Sequence, residues 1–196
     1  MVNQKGTGRR VMNLRLAVVA GLALGLAGCT NQIAKDGEAD AFISIVDINS
    51  GTPLKSDVLT DGSVFNDLAT VTVAARSKNP RFNDVQYTRA FRITRYEIRY
   101  YRADGRNVEG VDVPYRIAGN LTTAVDIGET NAEIPIEFVR VQAKLEPPLR
   151  NLVGGGGAIA ISCFAEVTLY ATQIASGDVA MATGTLQINF ADWADQ

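Results

Sequence analysis

The chain contains no histidine, and that omission narrows the chemistry its other side chains could support. A Ser-His-Asp or Cys-His nucleophilic pair, a His-ligated zinc or copper site and the usual haem ligation are all closed to it. Two thiols remain, Cys29 and Cys163. Cys163 lies in Ala158-Ile159-Ala160-Ile161-Ser162-Cys163-Phe164-Ala165, an apolar run of strand character, so it reads as a small buried hydrophobe. A reactive thiol needs electropositive neighbours, and the adjacent sequence offers none. Cys29 is different: it stands behind Leu26-Ala27-Gly28 at the end of an uncharged stretch. The 21 acidic residues offer many carboxylate pairs, but glycosidase-type chemistry depends on a spatial separation that sequence spacing does not encode, so they single out no catalytic couple.

The N-terminus explains Cys29. Lys5, Arg9, Arg10 and Arg15 make a basic leader, and Leu16 to Ala27 supplies 12 uncharged, mostly apolar residues, well short of the ~20 that span a bilayer. The pattern predicts an export signal, with Met12 available as an internal start. Leu26-Ala27-Gly28-Cys29 resembles the lipobox of bacterial lipoproteins, which are cleaved before a cysteine that carries lipid. That resemblance implies a signal peptide over residues 1–28 and a diacylglycerol, with a further N-acyl chain such as palmitate, on Cys29. It implies no other cofactor. Each buried methylene contributes about 0.8 kcal/mol, so two or three chains hold a protein permanently. Thr30 is not the aspartate that resembles an inner-membrane retention signal, which favours the outer membrane of a Gram-negative cell envelope. The expected address is therefore lipid-anchored, with the membrane and other envelope proteins as partners.

Without residues 1–28 the chain keeps 15 Lys+Arg against 21 Asp+Glu, a mildly acidic balance that does not suggest nucleic acid. The remaining length fits one domain with one core. Residues 29–40 are polar and aperiodic and read as a tether, leaving 41–196 as the body.

Within the body, three groups of residues could bind something. Asp57, Asp61 and Asp67, with Asn66, form an acidic loop that could offer oxygens to Ca²⁺, although the Asp-x-Asp-x-Asp-Gly spacing is missing; Asp192 and Asp195 are a second such pair. Arg89, Arg92, Arg95 and Arg99 make a basic stretch in an acidic chain, and Arg95, Arg99 and Tyr101 could form a docking face, because Arg and Tyr are over-represented in interface hot spots. Tyr87, Tyr96, Tyr100, Tyr101, Tyr115, Tyr170 and Trp193 could include a platform for sugars, with Trp193 better suited to plugging the end of the fold. Gly154-Gly155-Gly156-Gly157 is not followed by Lys-Ser/Thr and leads into a strand, so it is a flexible loop, not a phosphate cradle. The function these groups suggest is non-catalytic: protein–protein interaction or scaffolding, with a glycan- or calcium-binding module as the alternative and a carboxylate-dependent hydrolase as a remote one.

These residues must be positioned by strands. Alternating or β-branched runs occur at Phe42–Ile48, Ala69–Ala75, Phe91–Tyr101, Leu121–Ile127, Ile134–Ala143, Ala158–Ala171 and Val179–Phe190. Phe91–Tyr101 is the plainest, with Tyr96, Ile98 and Tyr100 on one face and Arg95, Glu97 and Arg99 on the other. Asp104-Gly105 predicts a tight turn pairing this strand with Val108–Val113. In Ile134–Ala143 the apolar parity changes between Phe138 and Val139, which predicts a bulge or bend. Pro147-Pro148 ends that strand, and Leu149–Val153 suits one helical turn. Seven or eight short strands without a sustained helical period predict an all-β fold, a two-layer antiparallel β-sandwich of immunoglobulin-like type.

The segments Arg95 to Gly105, Val111-Asp112-Val113-Pro114 and Ile188-Asn189-Phe190-Ala191-Asp192 resemble a recurring pattern in uncharacterised bacterial lipoproteins with an immunoglobulin-like body. The likeness would span residues 53–196. It implies the fold and transfers no functional residue.

Overall fold

The structure is a computed structural model that describes residues 39–78, 90–128 and 130–193. Cys29 and the lipobox, Tyr87, Arg89 and Asp195 lie outside the described residues. Eight strands are formed: β1 (Ala41–Ile48), β2 (Leu54–Asp57), β3 (Asp67–Ser77), β4 (Phe91–Tyr101), β5 (Ile117–Val125), β6 (Ala132–Val139), β7 (Ala160–Gln173) and β8 (Val179–Ala191). One short helix, α1 (Val141–Leu145), follows β6. The strands make two sheets, ordered β1-β3-β6 and β2-β8-β7-β4-β5. The chain changes sheet after β1, β2, β3, β5 and β6, and β7 sits between β8 and β4, which is the connectivity of an immunoglobulin-like sandwich.

The core follows from period-2 alternation. Val71 and Val73 of β3, Ile93, Ile98 and Tyr100 of β4, Cys163, Ala165, Val167 and Leu169 of β7, and Leu186, Ile188 and Phe190 of β8 turn inward and are buried between the layers. Most of their neighbours along each strand are exposed or partly exposed, with Ala74 and Ala191 buried as exceptions. Gly184 is small for a reason: a Cβ there would lie 3.0 Å from Ile45 Cγ2 and Ile48 Cδ1, so its absence lets β1 close over β8.

Four expectations need correction. The antiparallel reading fails for one pair, since β2 runs parallel to β8, with Leu54 opposite Ile188 and Asp57 opposite Ala191. Asn49, Ser50 and Gly51 all have positive φ, and this kink lies where the chain passes from the first sheet to the second. Secondly, β4 does not pair with Val108–Val113. Its partners are β5 and β7. Asp104 accepts hydrogen bonds from the side chains of Arg102 and Arg106, and Val108 to Val113 closes on itself through Gly110 N–H to the Val113 carbonyl at 2.8 Å. Thirdly, Ile134–Ala143 is a strand only to Val139 and then turns into α1, while Phe138 is the unpaired bulge residue between Glu137, opposite Leu68, and Val139, opposite Asp67. Finally, Ile159 is 56% exposed and precedes β7, so the inward parity begins further along.

The helical turn expected after Pro148 is present. Leu149–Leu152 is a single 3₁₀ turn. Asp61 and Gly62 both have positive φ in a tight turn where Thr60 and Ser63 exchange backbone hydrogen bonds at 2.8 Å. On β5, Gly119 lies beneath the Tyr96 ring, and a Cβ there would come within 2.5 Å of Tyr96 Cζ. Tyr96 is buried and has little room to move, so Gly119→Ala should destabilise the fold by about 1–3 kcal/mol, the usual cost of overpacking, read as a lowered urea midpoint at unchanged slope. A midpoint equal to that of the unaltered chain would show that the ring is free to shift.

Candidate interaction face

The outward side chains of β4 and β7 make the most chemically varied surface of the larger sheet. The register shift between Ile93 and Arg95 leaves both Thr94 and Arg95 facing solvent. Arg95 pairs with Glu97, and its guanidinium lies 5.2 Å from the centroid of the Tyr170 ring. Tyr170 donates its hydroxyl proton to Glu97 Oε2 at 2.9 Å. Partial burial, and then the adjacent Glu97 carboxylate, raise the Tyr170 phenol above its ordinary pKa.

One end of the face is aromatic. Tyr101, 37% exposed, stacks on Phe164 of β7 with ring centroids 5.4 Å apart and planes inclined by 28°. Arg99 stands opposite Glu166, and these two with Tyr100 and Tyr101 line a surface depression of about 310 Å³. Arg95, Arg99 and Tyr101 are thus brought to a single face, as their spacing predicts. Phe164 and Glu166 complete it from the neighbouring strand. Both occur in an alternating run, but only the β4–β7 register reveals that they sit beside Tyr101 and Arg99. The face combines the Tyr101 and Phe164 rings, the Arg95 and Arg99 guanidinium groups and the Glu97 and Glu166 carboxylates.

The acidic residues have another fate. Lys144 of α1 is buried, at 2% exposure, and its Nζ donates to Asp67 Oδ1 at 2.9 Å and to the Asp57 backbone carbonyl at 2.7 Å. The Asp57 carboxylate accepts from the Thr60 hydroxyl at 2.9 Å and from the Trp193 amide at 3.1 Å. The structure therefore gathers Asp57 and Asp67 around an ammonium group, and it leaves Asp61 on its exposed turn. Among the described residues no group of three or more His, Cys, Asp or Glu side chains is arranged to hold a metal ion. Lys144 was not singled out by sequence reasoning, because one lysine in a short polar segment carries no signal of burial.

Trp193 sits beside this cluster. Its ring lies 5.7 Å from Lys55 Nζ, and a Cβ on Gly157 would touch it at 3.5 Å. Asp192 Oδ2 accepts a hydrogen bond from the Gly154 amide. The glycine run is thus a loop laid against the end of the sandwich and held by the residues that follow β8. Of the remaining tyrosines, Tyr96 and Tyr100 are buried, and Tyr115 is 54% exposed on the loop before β5.

Cys163 points into the core at 1% exposure, and burial pushes its thiol up to about 11, partly opposed by the Arg102 charge. Thiolate is the reactive form, so the native protein should leave Cys163 unalkylated by iodoacetamide at pH 8 and modify it quickly once denaturant is added. Rapid labelling of Cys163 without denaturant would contradict this packing.

Compared with known proteins, the chain matches no family model, no curated protein and no solved structure.

Proposed function

We propose that this chain is a cell-envelope lipoprotein, moored to a membrane by lipid on Cys29, whose β-sandwich binds other envelope proteins without bond-making chemistry. The observation that carries the reading is the ordered series of basic leader, 12-residue uncharged run and Leu26-Ala27-Gly28-Cys29. The outward face of β4 and β7 supports the second half, because Arg95, Arg99 and Tyr101 share it with Phe164. The calcium alternative would need Asp57 and Asp67, and these already serve Lys144, Thr60 and the Trp193 amide.

Feeding cells an alkyne analogue of palmitate tests the anchor. The unaltered chain should take up label and sediment with membranes, while Cys29→Ala should lose essentially all label. Equal labelling of both would remove the anchor from Cys29. For the docking half, Arg95→Glu combined with Arg99→Glu should reduce the partners recovered by crosslinking in intact cells, and an unchanged set would count against this face.

A further inference from the structure

We propose that the outer edge of β5 is a self-association site, pairing antiparallel with the same edge of a second copy of this chain. Each sheet has two edge strands, and an open edge presents unpaired N–H and C=O groups that invite another strand. Three of the four are blunted. β2 has only four residues, β6 carries Pro135, and β1 loses its in–out alternation where its register shifts at Val46. By contrast β5 runs for nine residues with neither a charge nor a proline, and among the described residues no strand pairs with its outer side.

The in–out alternation of β5 is regular enough to template a partner. Exposure alternates without a break, with the even-numbered residues from Ala118 to Ala124 exposed and the odd-numbered ones partly or fully buried. The register shift in the β4–β5 ladder sets Leu121 and Thr122 of β5 against Thr94 alone, while the in–out alternation is broken only on β4, at Thr94 and Arg95. The Ala118 carbonyl accepts a hydrogen bond from Arg140 Nη2 at 2.8 Å, so it points away from β4, and regular pleating aims the polar groups of Asn120, Thr122 and Ala124 the same way. A carbonyl oxygen has two lone pairs, so the Arg140 contact leaves room for an amide from a second strand.

The sequence of the strand selects its own copy as the occupant. An antiparallel pair centred on Leu121 sets Ile117 against Val125 and Ala118 against Ala124, apolar with apolar. It sets Asn120 against Thr122, polar with polar. Just beyond the strand, the same register brings Arg116 of one copy opposite Asp126 of the other, twice by symmetry. Arg116 is exposed and holds only Glu109 among the described residues, and Asp126 is exposed with no ion pair among them. A one-residue slip would set the exposed face of one strand against the core-facing residues of the other and lose the charge match. This pairing does not depend on the lipid anchor or on the face of β4 and β7.

The full-length chain, purified in detergent and followed by sedimentation velocity, provides the test. The unaltered chain should form dimers in the micromolar range. Thr122→Pro removes an edge-facing donor at a residue with no register partner on β4, and Asp126→Arg puts like charges opposite each other; each should weaken dimerisation at least tenfold while leaving the far-UV circular dichroism unchanged. Combining Asp126→Arg with Arg116→Asp should restore the dimer, an effect that general destabilisation would not give. Leu121→Cys should yield a disulfide-linked dimer on a non-reducing gel, because the two Leu121 residues meet on the symmetry axis, whereas the unaltered chain treated alike should not. A chain that stays monomeric at 100 µM, an order-of-magnitude ceiling for a specific contact, overturns the proposal. So does a dimer that survives both Thr122→Pro and Asp126→Arg.

Discussion

Replacing Lys144 with alanine should cost about 3–5 kcal/mol, a large share of the stability of a domain this size. The reason is what remains behind. Asp67 Oδ2 already lacks a hydrogen-bond partner in a buried position, and removing the ammonium would orphan Oδ1 as well as the Asp57 carbonyl. An ionised carboxylate that is only 17% exposed and has no compensating charge is among the most expensive arrangements a protein can hold. The pair itself need not be strongly favourable. Lys144→Met combined with Asp67→Leu should therefore recover most of the loss, because it removes both desolvated charges together. Chemical denaturation of the two single variants and the double variant measures this directly. A Lys144→Ala variant within about 1 kcal/mol of the unaltered chain would mean that water reaches the cluster.

A comparable effect, about 3–5 kcal/mol, is expected for Phe138→Ala. Phe138 is the extra residue of the β6 bulge, and its ring is fully buried between the sheets. Its carbonyl accepts the hydroxyl proton of Tyr100, which crosses from the opposite sheet. Burial drives the Tyr100 phenol well above its ordinary range, with the Arg140 charge partly opposing that rise. Losing the Phe138 ring leaves a cavity that the rigid bulge cannot collapse to fill. Tyr100→Phe keeps the ring volume and removes only the cross-layer hydrogen bond, so its cost should be smaller, about 1–3 kcal/mol including the orphaned carbonyl. The order of the two variants in a thermal melt is the discriminating result. If Tyr100→Phe proved the worse, the hydrogen bond would dominate over packing at this bulge.

What the sequence reveals here depends on how local the governing physics is. Phe91–Tyr101 is legible because one face of a half-buried strand repeats every second residue, and its bounds coincide with those of β4. The Phe138 irregularity is legible for the same reason, as a parity change. By contrast β2 is too short to show a period, and the start of β5 is written Ala118-Gly119-Asn120, residues of poor strand propensity that are in place because Gly119 fits under Tyr96. The false hairpin at Asp104-Gly105 has a physical cause too: the Asp104 carboxylate is committed to two arginines, so a local turn signal formed a closed loop where strand pairing was expected. At the candidate face, the arginines and Tyr101 could be read from one strand. Phe164, Glu166 and the burial of Lys144 depend on which strands become neighbours, and that is decided by the whole core.

The parallel pairing of β2 with β8 carries a mechanical consequence. Strands that run side by side in one direction, when pulled from opposite ends, must slide lengthwise, and their backbone bonds then share the load and yield together. A tension applied between the N-terminal and C-terminal ends of this body would load β2 against β8 in that shearing mode, whereas a hairpin pulled at its open end parts one bond at a time. The kink at Asn49 to Gly51 thus does more than switch sheets: it equips the body to resist being drawn out along its length.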